Sequence, residues 1–104
     1  MLVTDKMIEY LPAKLKAFKR YIEKYDCIYM FSKVTAIIFY HKETGMPYVM
    51  LAQAPESSFV EIYVNYQADD WGSPECPLRK ENLISNDMNS FLLAIRECKE
   101  SNNG

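Results

Sequence analysis

The chain is poor in the residues that build the commonest nucleotide-binding and acid–base sites. Its 104 residues include three glycines, all isolated, and one histidine. The phosphate-binding loops of the common nucleotide-binding folds need closely spaced glycines, so the sequence excludes these loops. His41 is therefore the one residue available for any imidazole-based proton transfer. The composition gives little support for the best-known classes of enzyme.

Cysteine is also scarce, and no two cysteines are close in sequence. Cys27, Cys76 and Cys98 make an odd number, which is not typical of a secreted disulfide scaffold. With His41 they would supply four zinc ligands, but structural zinc sites usually carry paired ligands at C-x₂₋₄-C spacing. The sequence predicts no metal site and no cofactor.

Long apolar runs are absent. The first ten residues alternate charged and apolar side chains, so no signal peptide is visible. No apolar stretch reaches the length that a membrane-spanning helix needs. These features predict a cytoplasmic protein that does not bind or cross a membrane.

The composition that remains is that of a globular protein. Hydrophobic residues make up 49% and charged residues 25%, and the length fits one domain covering residues 1–104. The net charge of −2 is unevenly distributed, since residues 1–42 hold eight Lys or Arg against four Asp or Glu, and residues 43–104 hold four against ten. A chain without a clear basic excess is not typical of general nucleic-acid binders.

Two amphipathic helices are predicted, one near each end. Thr4 can cap a short helical turn over residues 4–10. Apolar residues spaced by three and four then predict a helix from Pro12 to Tyr25. Its stripe is Leu11, Leu15, Phe18, Ile22 and Tyr25. The stripe of the final helix, which Ser85 or Asn86 can cap, is Met88, Phe91, Leu92, Ile95 and Cys98.

The middle of the chain predicts a sheet. β-branched and aromatic residues with short turns between them indicate antiparallel neighbours. The segments are Val34–His41, Pro47–Gln53 and Phe59–Gln67, with Cys27–Ser32 as a further strand or the approach to one. Residues 68–85 are predicted to form a long loop, with a short helix or strand within them as the alternative. Residues 101–104 are predicted to form a frayed tail. The predicted fold is α+β: an N-terminal helix, a three- or four-stranded antiparallel meander and a C-terminal helix.

The leading functional hypothesis is a small protein-binding module, such as an inhibitor, an adaptor or an immunity-type protein. Alternation in the third long strand predicts an open face on which Glu61 and Tyr63 lie. The following loop carries Asp69, Asp70 and Trp71, which combine an aromatic anchor with acidic charge. The alternative for Trp71 is a ring packed over the core. These five residues are the predicted contact surface for a partner protein with a basic surface. A homodimer also remains open.

Two other hypotheses belong to different functional classes. Lys16, Lys19, Arg20 and Lys24 project from one side of the predicted N-terminal helix and could bind nucleic acid or an acidic partner. The same residues could equally form a solvated surface that keeps the domain soluble. An enzyme using Cys76 or His41 is the third hypothesis, although neither residue has a matched catalytic partner nearby in sequence.

Overall fold

The computed structural model describes residues 3–31, 34–64, 83–85 and 87–101. The predicted α+β fold is confirmed. Three short helices come first, a meander of antiparallel strands follows, and a longer helix ends the described chain. The helices are α1 (Asp5–Glu9), α2 (Ala13–Lys16), α3 (Lys19–Lys24) and α4 (Met88–Ser101), and the strands are β1 (Cys27–Phe31), β2 (Thr35–Tyr40), β3 (Pro47–Gln53), β4 (Glu61–Val64) and β5 (Leu83–Ser85).

The N-terminal helix begins where its capping residue predicts. The Thr4 side chain accepts a hydrogen bond from the Met7 N–H at 3.3 Å, which satisfies one of the amides that a helix start leaves open. None of the described helices is both long and apolar enough to cross a membrane.

The helix predicted from Pro12 to Tyr25 is instead two helices, so the prediction of one continuous helix is wrong. The backbone leaves the helical path at Phe18, where φ is −94° and ψ is 7°, and the Phe18 N–H donates to the Leu15 carbonyl. The break accompanies a tertiary contact, because the buried Phe18 ring meets Phe91 of α4 edge to face at 4.9 Å. The apolar stripe still faces the core, since three- and four-residue spacing survives one tight turn.

The described part of the sheet has five strands in the order β1-β2-β3-β4-β5, with every neighbour antiparallel. The turn between β2 and β3 contains Gly45 at φ 75°, a left-handed conformation that glycine adopts without steric cost. Leu83–Ser85 pairs with β4, so the end of the predicted 68–85 loop is a strand. This strand depends on a long-range pairing with β4, and three residues are too few to show the alternation that predicts a strand.

All four helices pack on one face of the sheet. Central strand residues such as Ile37, Phe39, Leu51 and Ile62 supply the sheet side of this helix-side core. Its members from the helices and from the turns between them are Ile8, Leu11, Leu15, Phe18, Ile22, Phe91, Ala94 and Ile95. Burying this much apolar surface is the main favourable term in folding such a domain.

The opposite sheet face is buried as well. Its cluster consists of strand residues alone within the described chain: Ala36, Ile38, Met50, Ala52 and Tyr63. Both faces of β2 therefore lie away from water, in agreement with its apolar side chains on both sides.

Candidate interaction surfaces

The predicted open face at Glu61 and Tyr63 is not open. Tyr63 is only 2% exposed and belongs to the cluster on the sheet face opposite the helices, whereas Glu61 is half-buried. Alternation correctly separates these side chains from Ile62, but it cannot show that both faces of the strand are covered. Tyr63 is therefore a core residue, and its assignment to an exposed contact surface is wrong.

Tyr63 and Glu61 are joined by a short hydrogen bond. The Tyr63 hydroxyl donates to Glu61 Oε2 at 2.5 Å, between two side chains on the same strand face. Burial is the largest cause that raises the pKa of Tyr63 above its ordinary value, and the hydrogen bond and charge of Glu61 add to it. The pair therefore holds a neutral phenol against a carboxylate, which satisfies a polar group at the margin of the core.

The remaining predicted partner contacts, Asp69, Asp70 and Trp71, lie outside the described residues. So does Cys76, one of the two residues in the enzyme hypothesis. The roles expected of these four residues therefore stay predictions.

His41 lies at the end of β2 and is buried rather than on the surface. Its ring stacks on that of Tyr48 at 4.3 Å, and its backbone closes the turn by donating to the Met46 carbonyl and accepting from the Gly45 N–H. These contacts describe a turn residue held by packing and backbone bonds. Among the described residues, no three histidine, cysteine or acidic side chains come close enough to hold a metal ion.

Cys27 opens β1 and lines a pocket of about 360 Å³ on the helix side of the sheet. Burial, reinforced by the neighbouring Asp26 carboxylate, raises the pKa of the Cys27 thiol to about 12. The thiol is therefore protonated at neutral pH, and it lacks the thiolate that nucleophilic chemistry requires. The other lining residues are Val3, Ile8, Ile22, Glu23, Tyr25, Asp26 and Tyr40.

The four predicted cations of the basic face, Lys16, Lys19, Arg20 and Lys24, are all exposed. Two of them already have contacts within the chain. Lys16 Nζ donates to the Glu9 carbonyl at 3.3 Å, and Lys24 Nζ lies 5.4 Å from the centre of the Tyr25 ring. These contacts are with a neutral carbonyl and a neutral ring, so they hold the two lysine side chains without neutralising their charge. Lys19 and Arg20 have no ion pair with a described residue.

The first strand, β1, forms one edge of the described sheet. Its register pairs Cys27 with Phe39, and the Tyr40 N–H donates to the Asp26 carbonyl at 3.1 Å. Because hydrogen-bonded pairs alternate along an antiparallel ladder, the backbone groups of every second residue face the neighbouring strand.

The phase of this alternation decides which groups face outward. Since the Asp26 carbonyl bonds to β2, the N–H and C=O groups of Ile28 and Met30 face β2 as well. Those of Cys27, Tyr29 and Phe31 point away from the sheet, toward an edge that no described strand occupies. Phe31 is 63% exposed. We define these three residues as the β1 edge.

Sequence reasoning overlooks the β1 edge, although a signal is present. The first strand of a meander has a neighbour on one side only, and Cys27–Phe31 contains neither charge nor proline. Periodicity alone leaves open whether this segment is a strand. It therefore does not predict that backbone N–H and C=O groups point away from the sheet.

Comparison with known proteins finds no matching family model, no similar curated protein and no similar solved structure.

Proposed function

We propose that this protein is a protein-binding module. It binds its partner by pairing an extended segment of that partner with the β1 edge. The observation that carries the proposal is the row of outward backbone groups on Cys27, Tyr29 and Phe31. In recognition by strand addition, main-chain hydrogen bonds give affinity and neighbouring side chains give specificity.

The composition of β1 supports this use of the edge. Natural sheets usually protect an exposed edge with charged residues, proline or a bulge, because unpaired strands aggregate. The β1 segment has no charge and no proline, and its pairing with β2 is regular. An edge without these protections is expected to have an occupant. The exposed Phe31 ring adds apolar area beside the backbone groups, as aromatic anchors do at interfaces.

The proposal is tested with Phe31→Lys, which places a charge at the β1 edge. Leu93→Lys is the matched control, because Leu93 is 55% exposed and lies on α4. Each protein is used as bait in its native host extract, and bound proteins are quantified by mass spectrometry. We expect Phe31→Lys to reduce capture of a specific partner about tenfold, while Leu93→Lys retains it.

The captured partner then provides a second readout. Hydrogen exchange should show new protection at the amides of Tyr29 and Phe31 when the purified partner is added. A partner that Phe31→Lys binds as well as the wild type does, or that leaves these amides unprotected, contradicts the proposal.

A second candidate function is binding of a polyanion, either nucleic acid or an acidic protein, through α2 and α3. The favouring observation is that Lys19 and Arg20 are exposed and have no described counter-ion. The candidate is weaker than the first, because Lys16 and Lys24 have contacts within the chain and the whole molecule is acidic.

A further inference from the structure

The β1 edge is self-complementary, which suggests its occupant. We propose that it pairs with the same edge of a second copy of this chain, antiparallel and centred on Tyr29. This inference rests on the proposed function, because it names the partner of the same edge. Two copies related by a two-fold axis present the same surface to each other, so residue i must face residue j while j faces i.

The outward groups satisfy this condition in one register. With Tyr29 opposite Tyr29 of the second copy, Cys27 lies opposite Phe31 and Phe31 opposite Cys27. All three outward residues then meet outward residues, and each hydrogen-bonded pair exchanges two bonds, which gives about six bonds in total. A shift by two residues keeps only two of the three pairs within β1. A shift by one residue would set outward groups against groups already bonded to β2.

The side chains fit the same register. A charged residue near a two-fold axis would face its own charge, and the five residues of β1 are all uncharged. Cys27, Tyr29 and Phe31 share the helix-side face, since Cys27 and Tyr29 are paired with Phe39 and Ile37 of the helix-side core. The two Tyr29 rings would lie side by side across the axis, and aromatic cross-strand pairs stabilise sheets.

This arrangement also places Phe31 near the pocket beside Cys27 of the second copy. Phe31 is the most exposed residue of β1, and its exposed ring would lie opposite Cys27 of the second copy. Cys27 lines the pocket together with Tyr25 and Tyr40, on the same sheet face. The pairing therefore brings the exposed Phe31 ring beside this pocket, twice in each dimer, and removes part of the ring from water.

Disulfide trapping tests the register. The full-length chain carries Cys76→Ser and Cys98→Ser, so that Cys27 is the one native thiol left. Adding Tyr29→Cys places two thiols across the proposed axis, where paired α-carbons are about 5.5 Å apart and a disulfide can form. The matched variants are Met30→Cys, whose copies are displaced and on the other face, and Thr44→Cys in an exposed turn.

We expect mild oxidation to link Tyr29→Cys into a dimer at least about tenfold faster than either matched variant, read on non-reducing gels and mapped by mass spectrometry. Equal rates for the three variants would overturn the register. Since Tyr29 is half-buried and its replacement could impair folding, sedimentation velocity of the wild type provides a second test. Its dimer fraction should rise with concentration, and Phe31→Lys, at an exposed position, should weaken dimerisation about tenfold.

A wild type that stays monomeric at every concentration overturns the second-copy inference. It leaves the proposed function standing if a different protein protects the Tyr29 and Phe31 amides. If the wild type stays monomeric and no partner protects the Tyr29 and Phe31 amides from exchange, both proposals are wrong.

Discussion

For individual residues, burial decides which role a side chain can have. Tyr63 is an exposed contact residue in the sequence-based hypothesis, and in the structure it is a buried phenol bonded to Glu61. Cys27 shows the same principle for a thiol, because burial and a nearby carboxylate keep its proton in place. In both cases the environment suppresses ionisation, so these groups stabilise the fold instead of serving as charged contacts or nucleophiles.

The stability contribution of Tyr63 can be measured with Tyr63→Phe. The change removes the hydroxyl and leaves the half-buried Glu61 carboxylate without this donor, so we expect a loss of about 1–2 kcal/mol in the free energy of unfolding near neutral pH. Urea unfolding provides the measurement. Tyr10→Phe, at a position that is 78% exposed, is the control and should change little. No loss in Tyr63→Phe would contradict the structural role of the hydrogen bond.

The raised pKa of Tyr63 also predicts a dependence on pH. The unfolded phenol ionises near its ordinary pKa of 10.0, while the folded one resists ionisation, so the stabilisation is complete below that value and is lost as the pH rises above it. Between about pH 8 and pH 11 the wild type should lose more free energy of unfolding than Tyr63→Phe does. Parallel losses in the two proteins would mean that Tyr63 does not titrate as proposed.

At the scale of elements, apolar spacing predicts which residues face the core better than it predicts whether a helix is continuous. The stripe from Leu11 to Ile22 is buried as expected, but a tight turn at Phe18 divides the helix into α2 and α3. Helices this short depend on tertiary packing for their stability. The same limit applies to β5, whose three residues form a strand because β4 offers them an edge.

The basic surface of α2 and α3 is tested by charge reversal. The double change of Lys19→Glu and Arg20→Glu should abolish binding of a fluorescent DNA oligonucleotide if the polyanion candidate is correct, and wild-type affinity should fall steeply with salt. Lys42→Glu, in the exposed turn between β2 and β3, is the matched control. Binding that is insensitive to salt, or equally weakened by the control, would count against this candidate.

The whole molecule is held together where α4 meets the N-terminal helices and the sheet. Phe91 is fully buried, and its ring contacts Phe18 at 4.9 Å, Tyr21 at 5.4 Å and Phe39 at 5.5 Å. Three parts of the fold thus share one aromatic cluster, and edge-to-face or tilted ring pairs contribute beyond the area that they bury. This cluster links segments that are far apart in sequence.

The contribution of this aromatic cluster to the free energy of unfolding is tested by Phe91→Ala. The change leaves a cavity between α4, α3 and β2, and we expect it to lower the free energy of unfolding by about 3–5 kcal/mol. Leu93→Ala, on the exposed side of the same helix, should change it by less than about 0.5 kcal/mol. Urea or thermal unfolding compares the two variants. Similar losses would show that α4 does not anchor the core through Phe91.

Spacing and composition are enough to predict the α+β class, the order of the long strands and the buried faces of the helices. Short-range periodicity carries this information, because side chains repeat every two residues in a strand and about every 3.6 in a helix. The apolar residues of β2 on both sides also indicate that both faces of that strand are covered. The scarcity of glycine and histidine by itself limits the kinds of catalytic site that the chain could build.

Tertiary structure alone decides the burial of Tyr63, the turn at Phe18, the strand Leu83–Ser85 and the outward direction of the β1 backbone groups. Each depends on contacts between residues distant in sequence: a covered second face, a ring of α4, a neighbouring strand and the hydrogen-bond phase of β1 against β2. Local periodicity places a side chain on a face, but only the assembled sheet decides whether that face meets water, protein or an open edge.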